Sequence, residues 1–186
     1  MKRVWAAVLL AAILLCGCTG ATDHSQAGMG LRQKLLDSKG CEFVGVVTAD
    51  FGDTQYSFTL DCRAETDGTV HFTVKAPEEI AGITGFVDRQ SGKLTFDDTV
   101  LTFPLLAQGE IPPVCAPWLF YKALTGGYLR AAGEDSDGLR LSIDDSFQGE
   151  SLTAEVWLSD GLPIWAEILW QGRKLLTLDI QQFRIL

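Results

Sequence analysis

Histidine is nearly missing from this chain of 186 residues, which carries only His24 and His71. His24 falls in a polar linker and His71 on the polar face of a strand, so neither is a credible member of a Ser-His-Asp arrangement, and neither an HExxH pair nor a Gly-rich phosphate loop occurs. The five cysteines include no CxxC, and none of Cys41, Cys62 and Cys115 has a histidine at ligand spacing, which argues against zinc. No metal or cofactor is therefore expected. Basic residues are scarce as well: 15 Lys and Arg stand against 24 Asp and Glu, for a net charge of −9. So acidic a chain is a poor match for nucleic acid. Carboxylate neighbours do occur, at Asp97-Asp98 and Asp144-Asp145. Adjacent residues on a strand point to opposite faces, so these pairs read as turn and solvent-facing charges and not as acid and base partners. The expectation is a protein that is not an enzyme.

Long apolar runs are also rare, and the one that exists lies at the start. Lys2 and Arg3 precede an apolar stretch from Val4 to Leu15, which is too short to span a bilayer, and then comes Leu15-Cys16-Gly17-Cys18. This resembles a lipoprotein signal peptide ending in a lipobox. The resemblance implies a diacylglyceryl group on Cys18 and cleavage just before it, with Cys16 where Ala, Ser or Thr is usual. Residues 1–17 are thus read as the signal, and 18–28 (from Cys18 through TGATDHSQAG) as a flexible tether with a reach of roughly 15–20 Å that includes His24. Residues 29–186 form the folded body. Two acyl chains anchor stably where one is marginal, each buried CH₂ contributing ~0.8 kcal/mol. Loss of Lys2 and Arg3 takes the charge from −9 to −11, so the body is held near the membrane by its lipid and not by a basic patch. The expected place is extracytoplasmic: the outer face of the cytoplasmic membrane, or an outer membrane if the envelope has two.

In the body, Leu31, Leu35 and Leu36 at helical spacing, with Gly40 beyond them, predict a short amphipathic helix. The period then shortens to two. Phe43, Val47, Ala49 and Phe51 share one face; Tyr56, Phe58, Leu60 and Cys62 share the next; and Val70, Phe72, Val74 and Ala76 follow the Asp67-Gly68 turn. His71 falls on the polar face of that third strand. Short strands are expected at 83–88, 93–96 and 99–103, and again around Leu139–Ile143, Leu152–Leu158, Ile164–Ile168 and Leu176–Ile180. Cys41 and Cys62 lie at opposite ends of a first hairpin centred near Gly52-Asp53. A loop of Asp50 to Asp53 would set them opposite each other for a disulfide, and other registers would leave two buried thiols.

Successive antiparallel strands joined by Gly, Asp and Ser turns predict an α+β, mainly antiparallel β fold: a half-open, strongly curved sheet with one apolar face. That face needs a cover. The segment from Ile111 to Gly127 supplies it, with Pro117 suited to a first helical turn, Gly126-Gly127 to its end, and Trp118, Leu119, Phe120, Tyr121 and Leu124 between. Two roles are open to it: a core helix plugging the sheet, or a movable plug over a lipophilic cavity.

Together these features resemble the LolA/LolB-type lipoprotein carriers and their relatives, the RseB-type periplasmic sensors. The resemblance rests on Leu31 and Leu35 before the first strand, on the run from Asp67 to Gly82 (DGTVHFTVKAPEEIAG), and on the closing hairpin from Leu162 to Phe183. It implies a half-open barrel covered by short helices, with an apolar cavity lined here by Phe58, Phe72, Phe103, Leu105, Trp118, Phe120 and Tyr121. Carriers of this type use an arginine to hold the lid closed, and Arg89 and Arg130 are the candidates by elimination. The ligand so implied is an acyl chain, a lipid or a lipoprotein. The competing expectation is an envelope sensor or interaction module with a filled barrel and a protein partner, motivated by Trp157, Trp165 and Trp170.

Overall fold

Residues 20–106, 110–147 and 149–186 are described by the computed structural model; residues 1–17 and Cys18, read as signal and lipidation site, lie outside them. Helix α1 (Gly20–Asp37) leads into six strands, β1 (Cys41–Asp50), β2 (Gln55–Ala64), β3 (Val70–Ala76), β4 (Thr84–Val87), β5 (Gly92–Phe96) and β6 (Thr99–Phe103). Helix α2 (Ala116–Gly126), entered by a 3-10 turn at Pro113–Cys115, then precedes β7 (Tyr128–Asp135), β8 (Gly138–Phe147), β9 (Glu150–Ser159), β10 (Leu162–Trp170) and β11 (Arg173–Ile185). These eleven strands make one antiparallel, curved and open sheet, in the order β6-β5-β4-β3-β2-β1-β11-β10-β9-β8-β7. Two meanders are thereby joined by their first and last strands, through pairs such as Val47 with Leu178.

Alternation of apolar and polar residues makes the strands and selects their inner face. Cys41, Phe43, Val47 and Ala49 of β1 are buried, as are Leu152, Ala154, Val156 and Leu158 of β9 and Leu176, Leu178 and Ile180 of β11. Helix α2 lies against that concave face with Trp118, Leu119, Phe120, Tyr121, Ala123 and Leu124 buried, and Pro117 stands in its first turn. Phe120 meets Phe43 edge-on with ring centres 5.6 Å apart and Phe183 at 6.4 Å, while Trp118 meets Phe147 at 6.3 Å. Side chains occupy the space beneath the helix.

Helix α1 begins at Gly20, so residues 20–28, expected as tether, are helical. Gly28 explains how this segment docks: a Cβ there would stand 3.0 Å from Leu141 Cδ2 and 3.3 Å from Leu129 Cδ2, so its absence lets the helix lie close on β7 and β8. Arg32 of α1 also donates from Nε to the Leu124 carbonyl at 2.6 Å, satisfying an acceptor in the last turn of α2.

The first hairpin turns over 51–54, centred on Gly52-Asp53 as expected, with Asp50 opposite Gln55; this is one residue beyond the 50–53 loop that would set Cys41 opposite Cys62. Moving the turn by one residue moves every pairing by two, so Cys62 faces Phe43, Cys41 faces Ala64, and both thiols are free and buried. In β10 a bulge between Pro163 and Trp165 turns Ile164 out, where it is 37% exposed, and keeps Pro163 and Ala166 both inward. Strand β7 was not expected at all: YLRAAGED lacks apolar alternation, because an edge strand with most residues exposed needs none.

Candidate functional site

The concave face does not end where its helical cover ends. Pairing aligns Cys62, Phe72, Gly85, Leu94 and Leu101 across β2 to β6, and beside them Ala64, Val70, Val87, Gly92 and Phe103. Cross-strand partners share a face, so both rows belong to the inner surface. Along the first row burial gives way to solvent: Cys62 and Phe72 are buried, Leu94 is half-buried, and Leu101 is 58% exposed. Phe96, two residues beyond Leu94 on the same face, is 55% exposed. In the second row the Phe103 ring lies over Gly92, whose Cβ, if present, would be 2.0 Å from Cζ. Glycine there is what lets the ring fold onto the sheet. An apolar strip therefore emerges from the core over β4 to β6.

At the end of the meander that carries the β2–β3 and β4–β5 turns, a cleft of about 350 Å³ opens beside α2. Trp118 and Tyr121 line it, together with Leu36, Asp67, Arg89, Lys122 and Asp145. Trp118 Nε1 donates to the Gly68 carbonyl at 3.1 Å, tying the helix to the β2–β3 turn. Asp67 accepts the Thr69 backbone N–H at 2.8 Å, and this bond holds its carboxyl below the usual aspartate range. Burial pushes the Tyr121 phenol up, so it stays protonated at neutral pH. Lys122 pairs with Asp145 and donates to the Ser146 carbonyl at 2.9 Å. The cleft therefore offers apolar walls with charges of both signs at the rim.

Of the two candidate arginines, Arg89 borders this cleft, on a turn shaped by Asp88, whose carboxylate accepts from the N–H groups of Gln90 and Ser91 at 2.7 and 2.9 Å. Arg130 lies elsewhere, with β7, near Asp144 at 3.7 Å and Glu155 at 3.5 Å. The seven residues expected around one cavity are distributed differently. Trp118 and Tyr121 reach the cleft, Phe72, Leu105 and Phe120 are buried in the core, and Phe58 and Phe103 pack against it half-buried. No sequence signal pointed to Lys122, Asp145 or Asp67 as neighbours, since β8 and the β2–β3 turn meet only through the curvature of the sheet.

The carboxylate pairs have structural partners or places: Asp145 on Lys122, Asp144 on Thr153 and Arg130, and Asp97-Asp98 in the β5–β6 turn. His71 lies half-exposed on the outer face, 4.0 Å from Glu65. Trp157 and Trp165 pair side by side on that face, and Trp157 is already engaged, donating to Asp135 at 2.9 Å beneath Arg140. Trp170 is half-buried with an indole N–H that has no acceptor among the described residues. Burial drives the thiols of Cys41 and Cys115 up to about 12 and that of Cys62 well above its ordinary value, so all three are inert as nucleophiles. Among the described residues no group of three or more His, Cys, Asp or Glu is placed to hold a metal, and no helix is long and apolar enough to cross a membrane.

No protein-family model matches the chain, and no curated protein matches it. Solved structures similar to it include an uncharacterized conserved protein from Thermus thermophilus (TM-score 0.47, 10% identity, 85% of this chain and 86% of that one). A LolA superfamily protein from Nitrosomonas europaea is similar at TM-score 0.45 and 10% identity, over 86% of this chain and 93% of that one. A domain described as outer membrane lipoprotein-sorting, from Vibrio parahaemolyticus, is similar at TM-score 0.44 and 9% identity, over 89% and 93%. The likeness to each is one of fold.

Proposed function

We propose that this protein is an extracytoplasmic lipoprotein, anchored through Cys18, that binds a lipophilic ligand in its half-open barrel without catalysing a reaction. The ligand class is an acyl chain, a lipid or the acylated end of a lipoprotein. The observation that carries this reading is the apolar strip of Phe72, Leu94, Leu101 and Phe96, which runs out of a packed core into solvent on the concave side of the sheet. A monomer gains nothing from leaving such a surface wet, and concave apolar surfaces next to a few polar groups are where lipophilic ligands bind. The cleft of Trp118, Tyr121 and Arg89 borders the same half-barrel and offers a place for a polar head. Because side chains already fill the volume under α2, the chain of the ligand lies along β4 to β6 in this reading, or enters deeper only if α2 shifts.

Native mass spectrometry of the protein tests this, followed by displacement of a lipophilic dye with fatty acid and with a lipopeptide. Co-purified lipid, or dye displaced by either competitor and retained by a Leu101→Asp variant much less well, is the expected result. A clean ligand-free mass with no dye bound defeats the reading. The rings of Phe43, Phe120 and Phe183, packed between helix and sheet, favour a second reading, that of a filled-barrel module whose partner in the envelope is a protein. Crosslinking in cells that returns a protein neighbour together with a ligand-free mass would select it.

A further inference from the structure

The open sheet has two edges, and they are built differently. Strand β7 carries Arg130, Glu134 and Asp135, its pairing with β8 shifts register between Leu129 and Ala131, and α1 rests on it through Gly28. Charges, irregular pairing and a covering element are the devices by which proteins keep an edge from pairing with another chain. Among the described residues strand β6 has none of them. Its sequence, TVLTF, contains no charge and no proline, its pairing with β5 is regular, and Val100 and Leu101 are 61% and 58% exposed. Among the described residues it has no strand on its outer side.

Register shows which groups it offers. The β5–β6 turn has two residues, Asp97 and Asp98, so Phe96 and Thr99 form the closing hydrogen-bonded pair and such pairs recur at Leu94 with Leu101 and at Gly92 with Phe103. The N–H and C=O groups of Val100 and Thr102 consequently point away from β5, a ladder without a partner. Charge at this edge is one-sided. Asp97 and Asp98 are exposed at its tip, while the cation of the hairpin, Lys93, is drawn over the Phe86 ring at 5.3 Å on the outer face. Two copies of this chain, each of net charge −9, repel one another overall, whereas a basic segment is attracted.

We propose that β6 is a strand-addition edge for an extended segment of a partner protein, in which apolar residues alternate and a Lys or Arg stands level with Asp97 and Asp98. Main-chain bonds to Val100 and Thr102 supply the affinity, and the apolar residues extend the surface of Leu101 and Phe103. This partner is separate from the lipophilic ligand, and the edge stands whether or not a lipid is bound.

The probe is a peptide of sequence Lys-Val-Thr-Val-Thr-Val-Lys, added to the full chain with amide exchange followed by NMR. Exchange at Val100 and Thr102 should slow roughly tenfold at saturation, as expected for one added hydrogen bond each, with β7 unchanged. Val100→Pro removes an outward donor that β5 does not use and should weaken binding by about tenfold or more. An Asp97→Asn, Asp98→Asn double substitution should weaken the Lys-ended peptide and leave a Ser-ended one unaffected. Should the proline variant misfold, two peptides methylated at the Val or at the Thr nitrogens replace it: one of the two must lose binding to the unaltered chain. Unchanged exchange at Val100 and Thr102, full binding by both methylated peptides, or self-association that the proline variant abolishes would each overturn the proposal, the last by giving the edge to a second copy.

Discussion

The half of the sheet under the helices and the outer strands β4 to β6 are made from similar residue types, yet one is closed and the other is left open. Where α2 lies on the sheet, Phe43, Leu60, Ile168 and Leu178 are buried to within 2%. On β5 and β6, Leu94, Phe96 and Leu101 occupy the same concave face, yet Phe96 and Leu101 are more than half exposed. Apolar residues that are covered contribute stability, and those left uncovered contribute little to it, so their presence calls for another explanation. Here the explanation offered is binding, of a lipophile on the face and of an extended chain at the edge.

The largest expected effect that separates the two regions is on stability. Phe120→Ala removes a fully buried ring wedged between Phe43 and Phe183 and should cost about 3–5 kcal/mol in denaturant unfolding. Phe96→Ala, in the open region, should stay within about 0.5 kcal/mol. Equal losses at the two positions would mean that the outer strands are covered in solution. A smaller loss, about 1–2 kcal/mol, is expected for Trp118→Phe, which keeps an aromatic ring but forfeits the bond to the Gly68 carbonyl. Its sharper signature is local: faster amide exchange in the β2–β3 turn, where the helix is fastened, than in β5 and β6.

Alkali should act on the covered region first. The thiols of Cys41, Cys62 and Cys115 have raised values in the folded state, so the stability they contribute is full below their ordinary value of 9.0 and is lost as pH rises above it, for Cys41 and Cys115 toward about 12. Thiol labelling at pH 8 should be slow and limited by unfolding; rapid labelling of the native protein would show that the core is open. The smallest effect lies on the acid side. Asp67 is held below its ordinary value of 3.8, so its contribution is present above that pH and disappears as pH falls through the lower folded value. An Asp67→Ala variant should flatten the acid limb of stability against pH, and an unchanged limb would show that its bond to Thr69 does not matter in solution.

Much of the covered region was legible beforehand because its signals are local. Two-residue periodicity in β1, β3, β9 and β11 names the residues that turn inward, and Pro117 with the aromatic run after it marks the covering helix. The candidate site was only half legible. Trp118 and Tyr121, named for an apolar cavity, and Arg89, one of two candidate arginines, line one cleft, and Lys122 and Asp145 join them from places that no spacing connects. Phe120 and Leu105, expected at a cavity wall, are simply core.

Alternation along the chain thus determined which residues face inward, and the scarcity of histidine and the acidic balance argued against a zinc site, a catalytic triad and a nucleic-acid partner. Tertiary structure alone decided how far the cover extends, which edge of the sheet is protected, which of the open registers the first hairpin takes, and that residues 20–28 continue a helix. Periodicity reports the environment of one strand, whereas register, coverage and edge exposure depend on which distant segments arrive to pair and pack. The pairing of β1 with β11 joins the two meanders from opposite ends of the fold, and no local pattern encodes it.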